Sequence, residues 1–309
     1  MAAPATDLTL PAKVATRKPR SLWSDAWYQF RRHKPAMIGL FVLGFLVLTT
    51  LLGPLVYTTP TDSIDFAAGL EGPSVTHPFG TDDLGRDLLA RSLVGGRVSI
   101  AVGVTAVLIA IVLGTLVGSI AGFFQKADNP LMRITDLFLS LPALPLLLIT
   151  IFLFRDVLRQ TFGPEAGIFI MIVSVIGVLN WMPVARLVRA QFLSLKRREF
   201  VEAARTVGAP NSRIIIKHIL PNVLSPVVVA ATIGVGGAIL TESTLSFLGL
   251  GFPPDVPTWG RLLYDAQNYI DLAPHWVIFP GALIFVTVLS INYMGDGLRD
   301  ALDPRRTAG

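Results

Sequence analysis

Two acidic residues lie within otherwise apolar stretches of this sequence, where an ionisable side chain would be costly to bury. Asp136 follows Arg133 by three positions, and Glu242 lies between Thr241 and Ser243. If these stretches cross a membrane, both carboxylates are candidates for a functional role. A structural role is the alternative for each: Asp136 could pair with Arg133 or with a neighbouring helix, and Glu242 could cap a helix or pair with Arg261.

The sequence lacks the patterns of common catalytic and nucleotide-binding sites. It contains no cysteine and no G-x-x-x-x-G-K-[ST], H-E-x-x-H or G-x-S-x-G motif. Its four histidines are far apart in the sequence and do not suggest a metal cluster: His33, His77, His218 and His275. We therefore expect that the chain is not an enzyme, has no catalytic or metal-ligating residues, and binds no cofactor itself.

The composition predicts an all-α polytopic membrane protein. Of 309 residues, 52% are hydrophobic and 15% are charged, whereas soluble domains carry about 25% charged residues. Mean hydropathy is +0.61. Six stretches are long and apolar enough to span a bilayer as helices. They are 36–57, 98–124, 131–154, 167–188, 223–248 and 276–294.

The distribution of basic residues predicts the orientation. Of the 26 Lys and Arg residues, 20 fall on the side that holds both termini and the 2–3 and 4–5 loops. By the positive-inside rule this side is cytoplasmic, so we expect a multi-pass protein of a bacterial inner membrane with both termini inside. The net charge of +5 divides into +11 inside and −6 outside, which argues against nucleic acid as a partner.

Residues 1–35 form a basic tail without the apolar core and cleavage site of a signal peptide. Leu22, Trp23, Trp27 and Phe30 recur at helical spacing beside basic residues, which predicts an amphipathic helix in the lipid interface. A tail with scattered aromatic residues is the alternative. The predicted division is therefore a tail at 1–35, a permeation domain at 36–298 and a C-terminal tail at 299–309.

Small residues and prolines mark two of the spans. Gly114, Gly118 and Gly122 form two G-x-x-x-G steps on one face of the second span, which predicts close helix packing within the chain or, alternatively, against another subunit. Pro142 and Pro145 predict a kink or discontinuity in the third span.

The loop between spans 4 and 5, about residues 189–222, is the most informative segment. Good helix formers end at Gly208, Pro210 suits the first turn of a second helix, and Pro221 ends or kinks that helix. This predicts two short helices joined by a glycine turn at the membrane face. The residues that carry the pattern are Glu202, Ala203, Ala204, Gly208, Leu220 and Pro221.

Two outer segments have a distinctive local chemistry. Residues 77–87 combine turn residues, capping candidates at Thr81, Asp82 and Asp83, and a possible surface ion-pair cluster of Asp83, Arg86 and Asp87. Residues 245–260 are rich in Gly and Pro and are expected to break the fifth span. Packing within the chain and contact with a binding protein are both open for these segments.

The 4–5 loop resembles the EAA motif of bacterial ATP-binding-cassette (ABC) importer permeases. The general motif has Ile where this chain has His218, and the run from His218 to Asn222 is similar to the dipeptide, oligopeptide and nickel branch. The outer segments resemble the C-type permeases of that branch. The residues that resemble the external signature are Gly80, Thr81, Asp82, Gly85, Arg86 and Asp87.

The resemblance implies a type I ABC importer permease fold with six transmembrane helices and a cytoplasmic two-helix coupling loop. Glu202 would make polar contact with an ATPase, Ala203 and Ala204 would allow close packing, and Gly208 would form the turn. The implied partners are a homologous B-type permease, two ABC ATPase subunits that use ATP and Mg, an extracytoplasmic solute-binding protein, and membrane lipid. Alternating access would move di- or oligopeptides, or alternatively nickel or another small solute. A secondary transporter or channel and a membrane enzyme are the rival classes.

Overall fold

The computed structural model describes residues 22–302, which are almost entirely helical. Residues 1–21 and 303–309, and with them most of the predicted N-terminal tail and the end of the C-terminal tail, lie outside the described residues. Within the described part, the only pairing of β type is an isolated bridge between Thr81 and Asp87. The first eight helices of the described part are α1 (Leu22–Arg32), α2 (Lys34–Val56), α3 (Leu88–Phe123), α4 (Gln125–Ser140), α5 (Ala143–Phe162), α6 (Pro164–Leu179), α7 (Trp181–Leu195) and α8 (Glu199–Thr206).

The C-terminal third continues with four further helices. These are the short α9 (Asn211–Arg213), then α10 (Leu220–Phe247), α11 (Trp259–Ala266) and α12 (Pro274–Leu302). A π-helical segment, Ile214–Ile219, joins α9 to α10 without interruption. A single 3-10 turn, Phe66–Ala68, lies between α2 and α3.

Five helical segments are long and apolar enough to cross a membrane, and the bent pair α4–α5 makes a sixth if it counts as one span. The helical polytopic fold predicted from composition is therefore confirmed. Two of the five segments join labelled helices, since Pro164–Leu195 contains α6 and α7, and Asn211–Phe247 contains α9 and α10.

The third span is broken where its prolines predicted a discontinuity. Helix α4 ends at Ser140, α5 begins at Ala143, and the two helices meet at about a right angle, 90°. Pro142 has no N–H to continue the hydrogen-bond ladder, and its backbone is extended. Residues 131–154 are therefore two helices, and not one straight span.

Helix α4 is tied to α7 by two ion pairs. Arg186 Nη2 lies 2.5 Å from Asp136 Oδ1. Arg189 makes a two-pronged contact with Asp128, at 2.5 and 2.8 Å. Asp136 is thus paired across helices rather than with Arg133, and both members of its pair are about half exposed, which limits the stabilisation to about 1 kcal/mol or less.

The glycines of the second span lie against α7 of the same chain. A Cβ built on Gly114 would lie 2.6 Å from Val184 Cβ, and one on Gly122 would lie 2.5 Å from Phe192 Cβ. A Cβ on Gly118 would meet the carbonyl of Ala185 and, at 2.8 Å, Val188 Cβ. The prediction of close packing within the chain is confirmed, and the alternative of a second subunit on this face is wrong.

Helix α1 packs on the start of α2 and the end of α12. Ala26 and Phe30 are buried against Ala36 and Ala301, whereas Trp27 is 51% exposed. Gly297 lets α12 approach so closely that a Cβ there would collide with Ala36. The predicted helix exists, with one face packed on protein; its contact with lipid stays a prediction.

The close contact of α3 with α7 gives a first testable prediction. Gly118→Leu is expected to lower the midpoint of thermal unfolding of the purified protein in detergent, because the added atoms have no room. Overpacking of this kind typically destabilises by about 1–3 kcal/mol. Gly44→Leu is the matched control, since a Cβ at Gly44 in α2 has no atom within 4 Å. Equal midpoints for the two variants would contradict the packing.

Candidate functional site

The 4–5 loop folds as the sequence predicts, up to its second proline. Helix α8 ends in a Schellman motif: Ala209 N–H donates to the Ala204 carbonyl at 3.0 Å, and Gly208 N–H donates to the Arg205 carbonyl at 2.9 Å. Gly208 has φ +83, which favours glycine, and a Cβ there would meet nothing within 4 Å. The predicted turn at Gly208 is confirmed, and its surroundings are open.

The loop is firmly attached to the helices on both sides of it. Val201 of α8 is fully buried in a cluster with Phe192 of α7 and with Ile214 and Ile219 of the π-helical segment. Lys196 Nζ donates to the carbonyl of Gly122 at the end of α3, at 2.9 Å. A displacement of α8 would therefore act on α7, on the helix that continues into α10, and on the end of α3.

Pro221 neither ends nor kinks the second helix of the loop, so that expectation is wrong. The chain passes through Pro221 in the first turn of α10, and the preceding turn widens to a π-helix. Leu220 N–H donates to Ile215, five residues back. The wider turn accommodates a residue that has no N–H to donate, so the second half of the loop continues into α10 as one helix, and α8 is attached to it through the buried cluster around Val201.

The residues that resemble the EAA motif lie at the surface of this element. Glu202, Ala203 and Gly208 are exposed, while Ala204 is partly buried against the cluster around Val201. Leu220 is partly buried and Pro221 is exposed. Large apolar side chains lie beside them in the open: Phe200 is 42% exposed, Val207 89% and Ile216 61%. The loop thus presents acidic and apolar groups together on a rigid support.

The opposite end of the molecule holds a buried network of charges. Helix α3 has 36 residues and rises about 1.5 Å per residue, so its two ends lie roughly 54 Å apart. Near its start, Asp82 accepts from Arg86 Nε at 2.6 Å and from the N–H groups of Leu84 and Arg86. The expected surface ion-pair cluster of Asp83, Arg86 and Asp87 is therefore wrong. Arg86 pairs with Asp82 instead, and Asp82 is fully buried.

Asp87 is the N-cap of α3, the role that was expected of Thr81, Asp82 or Asp83. Its Oδ1 accepts from Ala90 N–H at 2.7 Å, and its Oδ2 lies 2.7 Å from the Tyr57 hydroxyl and 2.8 Å from His77 Nδ1. Burial, together with the hydrogen bond to Asp87, raises the pKa of Tyr57. Asp87 therefore holds the end of the first span and the outer segment against α3.

The remaining signature residues build the turn around this carboxylate. Gly80 and Gly85 have φ of +78 and +73. A Cβ on Gly80 would lie 2.5 Å from the Glu71 carbonyl. Thr81 is fully buried and its hydroxyl donates to the Ala68 carbonyl at 2.5 Å. Asp83 accepts from the Tyr269 hydroxyl at 3.2 Å, and its negative charge raises the pKa of Tyr269.

Arg91 connects the outer segments, and the sequence interpretation missed it. Its side chain is 1% exposed and donates to the carbonyls of Thr61 and Pro254 at 3.3 and 3.2 Å. It lies 3.8 Å from Asp265, which pairs with Arg261 at 2.7 Å. Burial raises the pKa of Asp265, although Arg261 opposes this. The sequence did contain a signal for this role: Arg91 follows the capping residue Asp87 by four positions, at the start of an apolar helix.

Glu242 is fully buried and joins three elements. Its carboxylate accepts from Ser99 of α3 at 3.2 Å and from Ser246 of α10 at 2.8 Å. Ser99 in turn accepts from Trp259 N–H at the start of α11, at 3.3 Å. The suggested pairing with Arg261 is wrong, because Arg261 pairs with Asp265. Ser99 and Trp259 were also missed by the sequence interpretation.

A cavity of about 530 Å³ lies between α3, the α6–α7 junction and α10. It lies between the charged network at one end and the α8 loop at the other. Most of its lining is apolar and small, and Asn180 and Thr241 supply the polar side chains. Within residues 22–302 no group of three or more His, Asp and Glu residues is arranged to hold a metal ion.

The family comparisons agree with this arrangement. The family described as binding-protein-dependent transport system inner membrane component matches residues 110–308. The N-terminal TM domain of oligopeptide transport permease C matches residues 21–73. Together the two matches cover α1, α2 and everything from the middle of α3 onwards.

Curated relatives match over most of the chain. OppC, an oligopeptide transport system permease protein, is 41% identical in Haemophilus influenzae and 43% identical in Escherichia coli K12. These matches cover 93% of this chain and 89% and 92% of the relatives. DppC, a dipeptide transport system permease protein of Alkalihalophilus pseudofirmus, is 39% identical, covering 92% of this chain and 90% of the relative.

A solved structure shows the same fold. A chain of the MetNI methionine ABC transporter, in an inward-facing conformation, matches with a TM-score of 0.55 and 22% identity, covering 68% of this chain and 94% of that chain. The family matches and the curated relatives together define a permease subunit of a binding-protein-dependent transport system. The chain belongs to the family of binding-protein-dependent transport system inner membrane components.

The geometry around Glu242 gives a second prediction. Glu242→Ala is expected to lower the midpoint of thermal unfolding in detergent, because it leaves buried hydroxyls of Ser99 and Ser246 without their partner. An orphaned buried polar group typically costs about 1–3 kcal/mol. The unfolding midpoint of Glu242→Gln should lie close to that of the parent, since an amide can both accept from and donate to a hydroxyl. An Ala variant as stable as the Gln variant would contradict the assigned role.

Proposed function

We propose that this chain is the C-type permease of an importer that moves di- or oligopeptides across the inner membrane by alternating access. The observation that carries the ATP-driven part is the rigid loop of α8, exposed on one side and buried against α7 and α10 on the other. The peptide part is supported by the names of the relatives, which are oligopeptide and dipeptide permeases.

In this proposal the loop couples ATP hydrolysis to transport. A cleft of an ATPase subunit receives the exposed side of α8, with Glu202 in polar contact, Ala203 and Ala204 closely packed and Gly208 at the turn. When the ATPases close, the force reaches Val201 and passes to α7 and α10, because that side chain is buried between them. The packed helices then move as rigid bodies, which is how bistable domains switch.

The proposal also names the partners. A homologous B-type permease completes the pathway, two ABC ATPases bind ATP and Mg, and an extracytoplasmic protein delivers the solute. This chain performs no covalent step and needs no cofactor. Its surface away from the loop supports membrane insertion: Phe41, Phe45 and Leu55 of α2 are 77%, 58% and 73% exposed, as expected of side chains that face lipid or a partner helix.

Orientation and division of the chain follow from the charges. We infer that both termini and the α8 loop are cytoplasmic, since most Lys and Arg residues lie at that end. The tails at 1–35 and 299–309 would flank a permeation domain at 36–298, with α1 at the lipid interface. We infer that the outer signature acts as a scaffold, because the carboxylates of Asp82 and Asp87 accept hydrogen bonds from within the chain. Its residues are Gly80, Asp82, Gly85, Arg86 and Asp87.

Reconstitution tests the function and its rivals. The chain, its partner permease and both ATPases are purified together into proteoliposomes, with the binding protein added on one side, and uptake of labelled di- and oligopeptides is measured. We expect uptake only with ATP and binding protein. Uptake by this chain without an ATPase would indicate a secondary transporter, and uptake of nickel but not peptide would assign the alternative substrate.

A third prediction concerns the docking loop. Glu202→Lys and Gly208→Val are expected to abolish most transport and copurification of the ATPases while the chain still inserts. The first reverses the charge of the contact, and the second forces a β-branched residue into the left-handed region, which costs about 1–2 kcal/mol. Copurification and ATP-dependent uptake are measured for both.

Matched controls lie at the start of α6, at the far end of the helical segment Pro164–Leu195 that precedes α8. Glu165→Lys also reverses an exposed acid in the first turn of a helix. Gly163→Val also places valine at a positive φ, +86, with no atom within 4 Å. Both controls should bind the ATPases normally. If the loop variants behave like these controls, α8 is not the coupling element.

A further inference from the structure

We propose that the 530 Å³ cavity between α3, α7 and α10 is a water-filled part of the peptide pathway, and that the α10 face at Gly237 limits the size of the peptide that passes. This inference rests on the proposed function and extends it by assigning a site and a selectivity. The cavity is of the size that holds drug-sized ligands, about 300–1,000 Å³, which suits a short peptide.

A break in a helix supports water, and not lipid, as the content of the cavity. Helices α6 and α7 meet at Asn180, which lines the cavity and has φ −113 and ψ 7. No side chain caps the start of α7. Irregular backbone at membrane depth is tolerated where protein buries it or where it lines an aqueous cavity, and is not found facing lipid. Asn180 lines the cavity and is not buried by this chain, which supports the second condition.

The lining chemistry favours a peptide over an ion. None of the residues that line the cavity is ionisable, and its polar side chains are Asn180 and Thr241. Asn180 Nδ2 donates to the Ile176 carbonyl and the Thr241 hydroxyl donates to the Gly237 carbonyl, so their oxygens remain to accept from a ligand. A bare transition-metal ion would require imidazole, thiolate or carboxylate ligands. A peptide backbone instead needs only scattered donors and acceptors, and small apolar walls tolerate side chains of many kinds. The lining therefore points to selection by size.

Gly237 lines the cavity, and a side chain added there meets no other part of the chain at its first atom. A Cβ built there meets no atom within 4 Å, whereas one on Gly234 would lie 3.3 Å from Val107. Along α10 the cavity is lined by Ala230, Ile233, Gly237 and Thr241, which share one helical face. Replacing Gly237 also removes a residue with poor helix propensity, so the helix itself is not weakened.

The absence of cysteine makes a direct test of hydration possible. In the complete transporter, Gly237→Cys is treated with a membrane-impermeant thiol reagent and the modification of this chain is measured by mass spectrometry. We expect modification, and slower modification when peptide, binding protein and ATP are present. Gly44→Cys on α2 also has open space around it but does not line the cavity, so it should stay unmodified. A Gly237 thiol as unreactive as the Gly44 thiol would overturn the aqueous assignment.

Size selection is tested with Gly237→Leu in the same proteoliposomes. Uptake of a hexapeptide with bulky side chains should fall about tenfold relative to the parent, comparable with the cost of overpacking a site, while uptake of dialanine changes by less than about twofold. Hexapeptide uptake by Gly237→Ala should lie between that of the parent and that of Gly237→Leu. Uptake of both peptides by Gly44→Leu should match the parent. ATP hydrolysis and assembly are measured alongside.

The outcomes separate this inference from the proposed function. If the parent transporter imports neither peptide, the proposed substrate class is wrong. If the parent imports both peptides and Gly237→Leu reduces both equally, or neither, the size limit at Gly237 is wrong while the importer stands. If Gly237→Leu fails to assemble, hexapeptide uptake by Gly237→Ala is compared with that of the parent. Equal uptake would show that the size limit at Gly237 is wrong.

Discussion

The close contact between α3 and α7 is the constraint on which the rest of the structure depends. Gly114, Gly118 and Gly122 remove side chains from one face of α3, so the backbone of α7 approaches within van der Waals distance. Between helices in lipid this kind of packing, and not the hydrophobic effect, supplies the attraction. Since α7 leads into α8 through a short turn, the glycine face fixes the position of the exposed loop relative to α3.

The opposite end of α3 is fixed by a different kind of force. Asp87, Arg91 and Ser99 anchor the outer segments through hydrogen bonds and ion pairs that are almost fully buried. A buried charge needs several partners, and removing one of them typically costs about 3–5 kcal/mol. The outer end is therefore held by specific, directional contacts, and the inner end by shape. A force applied at α8 would reach the closely packed contact of α7 with α3 before it reaches the ion-paired outer end.

Sequence reasoning succeeded where one residue type dictates a local geometry. The spans, the glycine face, the break at Pro142 and the left-handed turn at Gly208 follow from hydrophobicity, small size, a missing N–H and a permitted φ. It failed where the partner is distant in the sequence. Arg186 for Asp136, Ser99 for Glu242 and Tyr57 for Asp87 lie 50, 143 and 30 residues away. Pro221 failed for a local reason, since the π-helical turn that absorbs it has no strong sequence signature.

Asn180 lies between the part of the molecule that is held by close packing and the outer end that is held by ion pairs and hydrogen bonds. The α6–α7 break interrupts a helical segment whose far part follows the glycine face of α3 and whose near part packs in the core with Ile172 and Ile176. In the proposed mechanism a displacement of α8 moves α7, because the two helices share a buried cluster. Since Asn180 at the start of α7 lines the cavity, the same movement would change the shape of the cavity.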